Sequence, residues 1–341
     1  MEKNKVMDLL KEIKYPGYSR NIISFGMVKD VRIEKDSIII LLNSVSIENQ
    51  SSVKENISSL FSDKGISKKV IVEFLSDKAN KNNTNQNAQS TISGVKHTIA
   101  VASGKGGVGK STVSMNLASS LSKNYKVGIL DLDIYGPSLP TILGVNKQPK
   151  LTEDQKIIPL DCHGMKVMSF GLINSTNSAT IWRGPMVARL TQQFFDDVLW
   201  GELDYLILDL PPGTGDIQLT LVQKIALSGA IIITTPQDLS LIDAAKAADM
   251  FKKVNTPILG IIENMSYYII PGTNEKVQIF PGNAGAIESK RLNVPLIGKI
   301  MINPDISAAS DSGVPYVLKY ESTEVAKVFQ EISEEVVNNI N

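Results

Sequence analysis

A glycine-rich loop between an apolar run and an amphipathic segment constrains the fold of this chain more than any other feature. The apolar run 98–103 is followed by G-K-G-G-V-G-K-S-T at 104–112, after which Val113, Leu117 and Leu121 recur at helical spacing. The string satisfies G-x-x-x-x-G-K-[ST], in which backbone N–H groups and the positive end of a helix converge on a phosphate group. The order of strand, loop and helix therefore predicts a phosphate-binding loop within an α/β fold.

The residues of this loop are expected to hold a nucleoside triphosphate and its magnesium ion. Lys110 is expected to reach the β- and γ-phosphates, and the hydroxyl of Ser111 is expected to ligate Mg²⁺. A second lysine, Lys105, lies among the glycines, where lysine is rare unless it meets a charge, although a solvated loop lysine is the alternative. The predicted cofactor-binding residues of the loop are Gly104, Lys105, Gly106, Gly107, Val108, Gly109, Lys110, Ser111 and Thr112.

Aspartates end two further predicted strands, where open α/β sheets gather their ligands. Asp131 and Asp133 follow the run 126–130, and Asp209 follows the run 205–208. We expect Asp133 to orient the attacking water with help from Asp131, and Asp209 to hold Mg²⁺ through water. The loops after both strands are expected to act as switches that respond to the γ-phosphate. The alternative for each aspartate is a helix cap or a turn residue.

Recognition of the base is assigned to residues that follow the next two predicted strands. Pro236 and Gln237 follow the run 230–235, and Asn264 follows the run 258–263. An asparagine amide can donate and accept hydrogen bonds at once, which suits the edge of a base. The alternative for Asn264 is a turn residue.

Short β-branched runs alternate with amphipathic helical patterns over the longer part of the chain. This alternation is the sequence form of a parallel sheet that helices cover on both faces. The predicted strands are 97–103, 126–131, 165–170, 205–210, 230–235, 258–263 and 295–300. The clearest helices follow Gly109, begin near Met186, cover 239–254 and run from Glu321 to the end. We therefore predict an α/β fold, a mostly parallel, doubly wound P-loop NTPase sheet, over residues 95–341.

A polar stretch separates this region from a shorter leading segment. Residues 78–94 read K-A-N-K-N-N-T-N-Q-N-A-Q-S-T-I-S-G, which predicts a flexible linker because almost nothing apolar can be buried. Residues 1–77 are predicted to form a small α+β domain with helices at 6–13 and 53–62 and strands at 27–33, 37–42 and 69–75.

The composition excludes several classes of protein. Lysine and arginine total 35, and aspartate and glutamate total 35, so the zero net charge argues against a nucleic acid or an anionic membrane as partner. The one cysteine, Cys162, excludes an intramolecular disulfide and an all-cysteine metal site within one chain. No apolar stretch approaches the roughly 20 residues that span a bilayer, and the amino terminus lacks a signal-peptide pattern. We expect a cytoplasmic protein.

Four further strings give the chain a family resemblance. They are D-L-D-I-Y-G-P-S at 131–138, W-R-G-P-M at 182–186, D-L-P-P-G-T-G-D at 209–216 and E-N-M-S at 263–266. With the glycine-rich loop, they resemble the deviant Walker A ATPases that include ParA, MinD and the nitrogenase iron protein. Within that class they look like the Mrp/ApbC branch of iron–sulfur cluster carriers. Residues 16–31 resemble the small domain, associated with iron–sulfur assembly, that often precedes this ATPase.

The resemblance implies a mechanism and partners. ATP binds at 104–111, and Lys105 is the signature lysine that crosses a dimer interface to the phosphates of the partner's nucleotide. The two aspartate loops are the switches, so Lys105, Lys110, Asp131 and Asp133 form the expected catalytic set. A homodimer and apo iron–sulfur client proteins are implied as partners, with no nucleic acid and no membrane.

The chain departs from this family at the expected cluster-binding segment. Members usually have a C-x-x-C pair shortly after E-N-M-S, so that two subunits supply four thiolates to one bridging cluster. Ile270 and Thr273 stand at the expected cysteine positions, and no iron–sulfur ligand is identifiable. Cys162 and His163 could form a ligand set, but an isolated, partly buried thiol is the favoured interpretation.

Three functions are therefore considered. The first is an ATP-hydrolysing iron–sulfur cluster carrier that works through nucleotide-gated closure of a homodimer. The second is an ATPase scaffold or chaperone that binds no cluster, which the missing cysteine pair favours. The third is a positioning ATPase like ParA or MinD. The zero net charge and the acidic residues of the last predicted helix argue against the DNA-binding or membrane-binding surface that this third function needs.

Overall fold

Two units form along the chain because two sets of apolar faces each close around their own core. The computed structural model describes residues 3–13, 22–23, 28–34, 36–43, 47–66, 68–75, 90–173 and 184–340. The chain divides into the units Met1–Gln86 and Asn87–Asn341. Among the helices of the described ranges, none has the length and apolar character needed to cross a bilayer.

The first unit combines a small sheet with two helices. Its elements are α1 (Lys3–Leu10), β1 (Val28–Ile33), β2 (Ser37–Asn43), α2 (Ile47–Asp63) and β3 (Lys69–Leu75). The central strand β2 pairs antiparallel with β1 and parallel with β3. Ile38, Ile40 and Leu42 alternate along β2 and pack with Leu10 and Phe61 in one apolar core. Each element predicted for this segment occurs, although α2 begins at Ile47 instead of residue 53.

The second unit contains the remaining elements. Its strands are β4 (Val95–Ala102), β5 (Val127–Asp131), β6 (Lys150–Leu151), β7 (Ile157–Ile158), β8 (Leu160–Cys162), β9 (Met165–Ser169), β10 (Leu203–Asp209), β11 (Gly229–Thr234), β12 (Ile258–Glu263), β13 (Tyr268–Ile269), β14 (Lys276–Val277) and β15 (Leu296–Lys299). Its helices are α3 (Lys110–Leu121), α4 (Leu139–Ile142), α5 (Phe170–Ile173), α6 (Gly184–Asp197), α7 (Asp216–Lys224), α8 (Asp238–Lys253), α9 (Ala284–Leu292), α10 (Pro304–Asp311), α11 (Tyr316–Lys319) and α12 (Glu324–Ile340).

An eight-stranded sheet forms the centre of this unit, in the order β15-β12-β11-β4-β10-β5-β9-β8. Its neighbouring strands pair in parallel except for β8, which is antiparallel to β9. Alternate residues of β4 enter two cores. Ile99 packs with residues of α3 and α12 in one core, whereas Ala100 packs with residues of α6 and α8 in the other. The predicted α/β fold with a mostly parallel, doubly wound sheet is confirmed.

The topology places a crevice at the carboxyl end of β4. The chain passes from β4 through α3 to β5, and later from β10 through α7 to β11, so the sheet extends in opposite directions from β4. Open α/β sheets bind ligands at such a reversal. The register aligns Asp209 with Val101 on one side and with Asp131 on the other. The ends of β4, β5 and β10 therefore lie level beneath the glycine-rich loop.

Some expectations differ from the structure at element boundaries. Residues 90–94 were expected to belong to the linker, but Ser90 donates to the carbonyl of Lys224 and Ile92 is buried, so this segment packs on the second unit. A single buried isoleucine is too weak a signal to be read within a polar stretch. The rest of the linker, 78–89, lies outside the described residues, as do Trp182 and Arg183 of the W-R-G-P-M string. Helices α7, α9 and α10 were not predicted.

Candidate functional site

Close backbone packing explains why glycine recurs in the loop between β4 and α3. Gly107 and Gly109 have φ of 80° and 79°, the left-handed region that residues with a Cβ rarely adopt. A Cβ on Gly104 would lie 2.0 Å from the backbone oxygen of Asp243, and a Cβ on Gly109 would lie 2.4 Å from Asn264 Nδ2. The loop is thus held between α8 on one side and the end of β12 on the other.

A cavity of about 260 Å³ lies at the N-terminus of α3. The residues that line it include Lys105, Lys110, Ser111 and Asp133, together with Pro212 from the loop after β10. The structure therefore brings both lysines, the predicted Mg²⁺-ligating hydroxyl and the predicted water-orienting carboxylate to one space. The first N–H groups of a helix have no partners within the helix, so this space suits an anion.

Lys110 forms a buried ion pair with Asp209. Lys110 Nζ lies 2.5 Å from Asp209 Oδ1, and the Ser114 hydroxyl donates to the same oxygen at 2.9 Å. The other oxygen, Asp209 Oδ2, is buried and accepts no hydrogen bond from the described residues. A buried carboxylate oxygen without a donor is costly unless a cation or water meets it. Asp209 and the nearby Ser111 hydroxyl therefore fit a magnesium ion.

Asp131 lies beneath the loop that follows β5. It is fully buried, and its carboxylate accepts hydrogen bonds from the N–H groups of Asp133 and Leu139 and from the Ser169 hydroxyl. Burial and the nearby Asp209 charge raise the pKa of Asp131 to about 7. Asp131 does not line the cavity. These hydrogen bonds make Asp131 an anchor of the loop 132–139, which carries Asp133.

Asp133 and Lys105 reach the cavity from two different loops. Asp133 Oδ1 accepts hydrogen bonds from the N–H groups of Tyr135 and Gly136, which fixes the carboxylate at the cavity wall. The Ser103 hydroxyl donates to the Lys105 carbonyl at 2.8 Å. Lys105 forms no ion pair with any residue in the part of the chain that the structure describes. Its ammonium is therefore available to an anion.

Asn264 and Pro236 have surroundings that sequence reasoning did not foresee. Asn264 Nδ2 donates to the Val108 carbonyl at 2.8 Å, so the amide contacts the loop. The Pro236 carbonyl accepts from Ala284 N–H, and Pro236 does not line the cavity that contains Asn264. That second cavity, of about 670 Å³, adjoins Gly109 and is lined in part by Met265, Met301, Ile302 and Asn303. Met265 follows β12, and the other three residues follow β15. Because open α/β sheets bind ligands after the carboxyl ends of their strands, these positions in the sequence could have indicated that the residues line a cavity.

The expected cysteine positions lie in a surface hairpin. Ile270 and Thr273 belong to the turn between β13 and β14, where Ile270 N–H bonds the Glu275 carbonyl and Gly272 has φ 85°. Cys162 is half-buried, and burial raises the pKa of its thiol, which disfavours the thiolate that binds iron. Within the described ranges, no group of three or more histidine, cysteine or acidic side chains could hold a metal ion.

The fold and the site define the class of this chain as a P-loop NTPase. The family model described as ParA, NUBPL iron-transfer P-loop NTPase, matches residues 94–337, and the chain belongs to this family. An iron–sulfur cluster carrier protein from Helicobacter pylori is 37% identical over 336 residues, which cover 97% of this chain and 91% of that protein. One from Aquifex aeolicus is 48% identical over 246 residues, 71% of this chain and 67% of that protein.

A solved structure extends this comparison to the fold. A nucleotide-binding protein from Archaeoglobus fulgidus, determined in complex with ADP, is 36% identical to this chain and superimposes with a TM-score of 0.60. The match covers 69% of this chain and 92% of that one. The family resemblance and the P-loop fold expected from the sequence are both confirmed.

Proposed function

We propose that this chain is an ATP-binding and ATP-hydrolysing iron–sulfur cluster carrier that delivers clusters to apo iron–sulfur proteins. The observation that carries the proposal is the cavity at the start of α3, in which Lys105, Lys110 and Asp133 meet. Curated relatives that match almost the whole chain are named iron–sulfur cluster carrier proteins, which supports the cargo. The proposal includes a cytoplasmic homodimer whose clients are proteins, with no nucleic acid or membrane as partner.

The loop residues bind and position the triphosphate. Backbone N–H groups of 106–111 contact the phosphates, and Lys110 moves from Asp209 to the β- and γ-phosphates. Ser111 and, through water, Asp209 hold Mg²⁺, which when bound neutralises charge on the phosphate oxygens. Asp133 orients the attacking water, and Asp131 keeps the loop of Asp133 in place.

The adjoining cavity is the proposed base site. Asn264 lines it, and the amide atoms that do not contact Val108 can meet the edge of an adenine. Methionine and isoleucine side chains of the same cavity offer an apolar surface to the base. Thr112 also lines this cavity, whereas Pro236 is not on its wall, and so the base role of Pro236 is not part of the proposal.

Nucleotide-gated dimerisation is supported by the surface around the loop. Leu239 and Ile242 of α8 are 65% and 56% exposed, and the backbone of Asp243 on the same helix packs against Gly104. Exposed apolar side chains beside a binding loop suit a second copy of the chain. In the closed dimer Lys105 contacts the phosphates of the partner's nucleotide, and hydrolysis releases the loops after β5 and β10.

A second candidate function is an ATPase scaffold that binds no cluster itself. The observation in its favour is the hairpin turn with Ile270 and Thr273, neither of which can supply a thiolate. Anaerobic reconstitution with iron and sulfide separates the two functions, with iron counted per dimer in the parent protein and in Cys162→Ala. Bound iron in the parent supports the carrier. Absence of iron from both proteins even when a low-molecular-weight thiol is added would exclude direct carriage and leave the scaffold.

The two lysines give a test of the nucleotide mechanism. Lys110→Ala should lose ATP binding, because its ammonium neutralises the phosphates. Lys105→Ala should keep binding but lose turnover and ATP-dependent dimerisation, measured by hydrolysis rate and by light scattering with and without ATP. Unchanged turnover in Lys105→Ala would rule out the role of this lysine across the dimer.

A further inference from the structure

Asn264 contacts the peptide bond that joins Val108 to Gly109. Its Nδ2 donates to the Val108 carbonyl at 2.8 Å, and the Asn264 side chain leaves too little room for a Cβ on Gly109. Asn264 is 8% exposed, so water competes little for this hydrogen bond. The contact joins the residue after β12 to the peptide bond between Val108 and Gly109, and Gly109 directly precedes Lys110.

The direction of this hydrogen bond determines the direction of an N–H group in the loop. In a trans peptide bond the carbonyl oxygen and the following N–H lie on opposite sides. Gly109 lines both the cavity with Asn264 and the cavity at the start of α3. With the Val108 carbonyl held toward Asn264, the Gly109 N–H is turned to the side of the phosphate cavity. A peptide bond next to glycine can rotate easily. Without the hydrogen bond from Asn264, the orientation of the Gly109 N–H would therefore be held less firmly.

The turn that carries Asn264 is itself held by a buried network. Met265 has φ 55°, a conformation that persists in a non-glycine residue only when the surroundings enforce it. Glu263 is fully buried and accepts hydrogen bonds from the Ser266 hydroxyl at 2.6 Å and from Gly285 N–H at 2.9 Å. Lys299 Nζ lies 3.6 Å from the same carboxylate. These contacts come from the turn itself, α9 and β15.

We propose that Asn264 is a positioning residue for the phosphate loop and that Glu263 holds Asn264 in place. The inference rests on the proposed nucleotide binding and adds a role that does not involve the base. A base contact would act only on ligands that carry a base. Orientation of the Gly109 N–H acts on any ligand with a chain of phosphates.

The test compares ATP with inorganic tripolyphosphate, which has no base. Titration calorimetry with Mg²⁺ measures the affinity of both ligands for the full-length parent, Asn264→Ala and Asn339→Ala. Asn339 is a matched control, because its Nδ2 donates to the Leu259 carbonyl of β12 at 3.0 Å, away from the loop. We expect Asn264→Ala to weaken tripolyphosphate binding by a factor of about ten and ATP binding by at least that factor, because ATP also loses the proposed base contact. Asn339→Ala should leave both affinities unchanged.

A second variant tests the supporting residue. Glu263→Gln keeps an acceptor for Gly285 N–H but loses the charge that attracts Lys299, so a smaller loss of affinity for both ligands is expected. Weaker ATP binding with unchanged tripolyphosphate binding in Asn264→Ala would overturn the inference in favour of a base contact. Equal losses in Asn264→Ala and Asn339→Ala would also overturn it. A parent protein that binds neither ligand would refute the proposed function itself, and the inference with it.

Discussion

Removal of the Lys110 ammonium is the perturbation whose size the structure defines best. Lys110 Nζ and Asp209 Oδ1 are 2.5 Å apart, and the two side chains are 6% and 0% exposed. Opposite charges at this distance attract by about 7 kcal/mol at an effective dielectric constant of about 20. Desolvation of the charges offsets much of this attraction, and loss of one partner of a buried pair costs about 3–5 kcal/mol. We expect Lys110→Met to lower the free energy of unfolding by that amount.

Urea denaturation of the protein without nucleotide or Mg²⁺, followed by tryptophan fluorescence, measures this loss. Trp182 and Trp200 are the two tryptophans and both belong to the second unit, so the signal reports the unit that contains the ion pair. The matched comparison is Lys110→Met/Asp209→Asn, which removes both charges and should lose clearly less stability than the single variant. A single variant within about 1 kcal/mol of the parent, or a double variant less stable than the single one, would refute the reasoning.

Two further predictions concern the loops of the site. Gly104→Ala should lower the free energy of unfolding by about 2 kcal/mol or more, because its Cβ would lie 2.0 Å from the Asp243 backbone oxygen. Gly106→Ala, whose Cβ has its nearest neighbour at 3.9 Å, is the control, and equal losses in thermal or urea denaturation would contradict the packing argument. Asp133→Asn should retain ATP binding while the hydrolysis rate falls about 10²–10⁴-fold, and an unchanged rate would exclude Asp133 as the residue that orients water.

The parts of the site that could be predicted are those that depend on neighbours in sequence. The glycine-rich loop follows β4 and precedes α3 within a few residues, so its spacing alone indicated the strand, the loop and the helix. Asp131 and Asp209 were found because parallel strands bring their carboxyl ends to one edge, and the register indeed aligns the two residues. Nothing in the spacing distinguishes a carboxylate on the cavity wall, such as Asp133, from one that does not line the cavity, such as Asp131 or Asp209.

Contacts between distant residues could not be predicted in the same way. Asn264 was recognised as a residue after a strand, but its hydrogen bond to Val108 joins positions 156 residues apart. The antiparallel strand β8 is three residues long, and the hairpin strands β13 and β14 are two residues each. Strands this short show no periodic pattern in the sequence. Pro236 follows a strand as expected, yet its carbonyl accepts a hydrogen bond from the N–H of Ala284, the first residue of α9.

The source of the cluster ligands is the point at which this chain departs from the family pattern. An iron–sulfur cluster is held by four thiolates, whereas two copies of the chain provide Cys162 twice and no cysteine at Ile270 or Thr273. Burial also raises the pKa of the Cys162 thiol, which disfavours the free thiolate form of these two sulfurs. We therefore expect iron retention to depend on thiols supplied from outside the chain.

Anaerobic reconstitution with and without a low-molecular-weight thiol, followed by desalting and iron counting, measures this dependence. Retention of the iron of one cluster per dimer only when the thiol is present is the expected result, because the added sulfurs complete the ligand set. An apo client protein with free cysteines should support iron retention in the same way as the small thiol. Its cysteines would then ligate the cluster on the carrier before the cluster is transferred to the client. The same iron content without any added thiol would overturn this argument and require nitrogen or oxygen ligands from the chain.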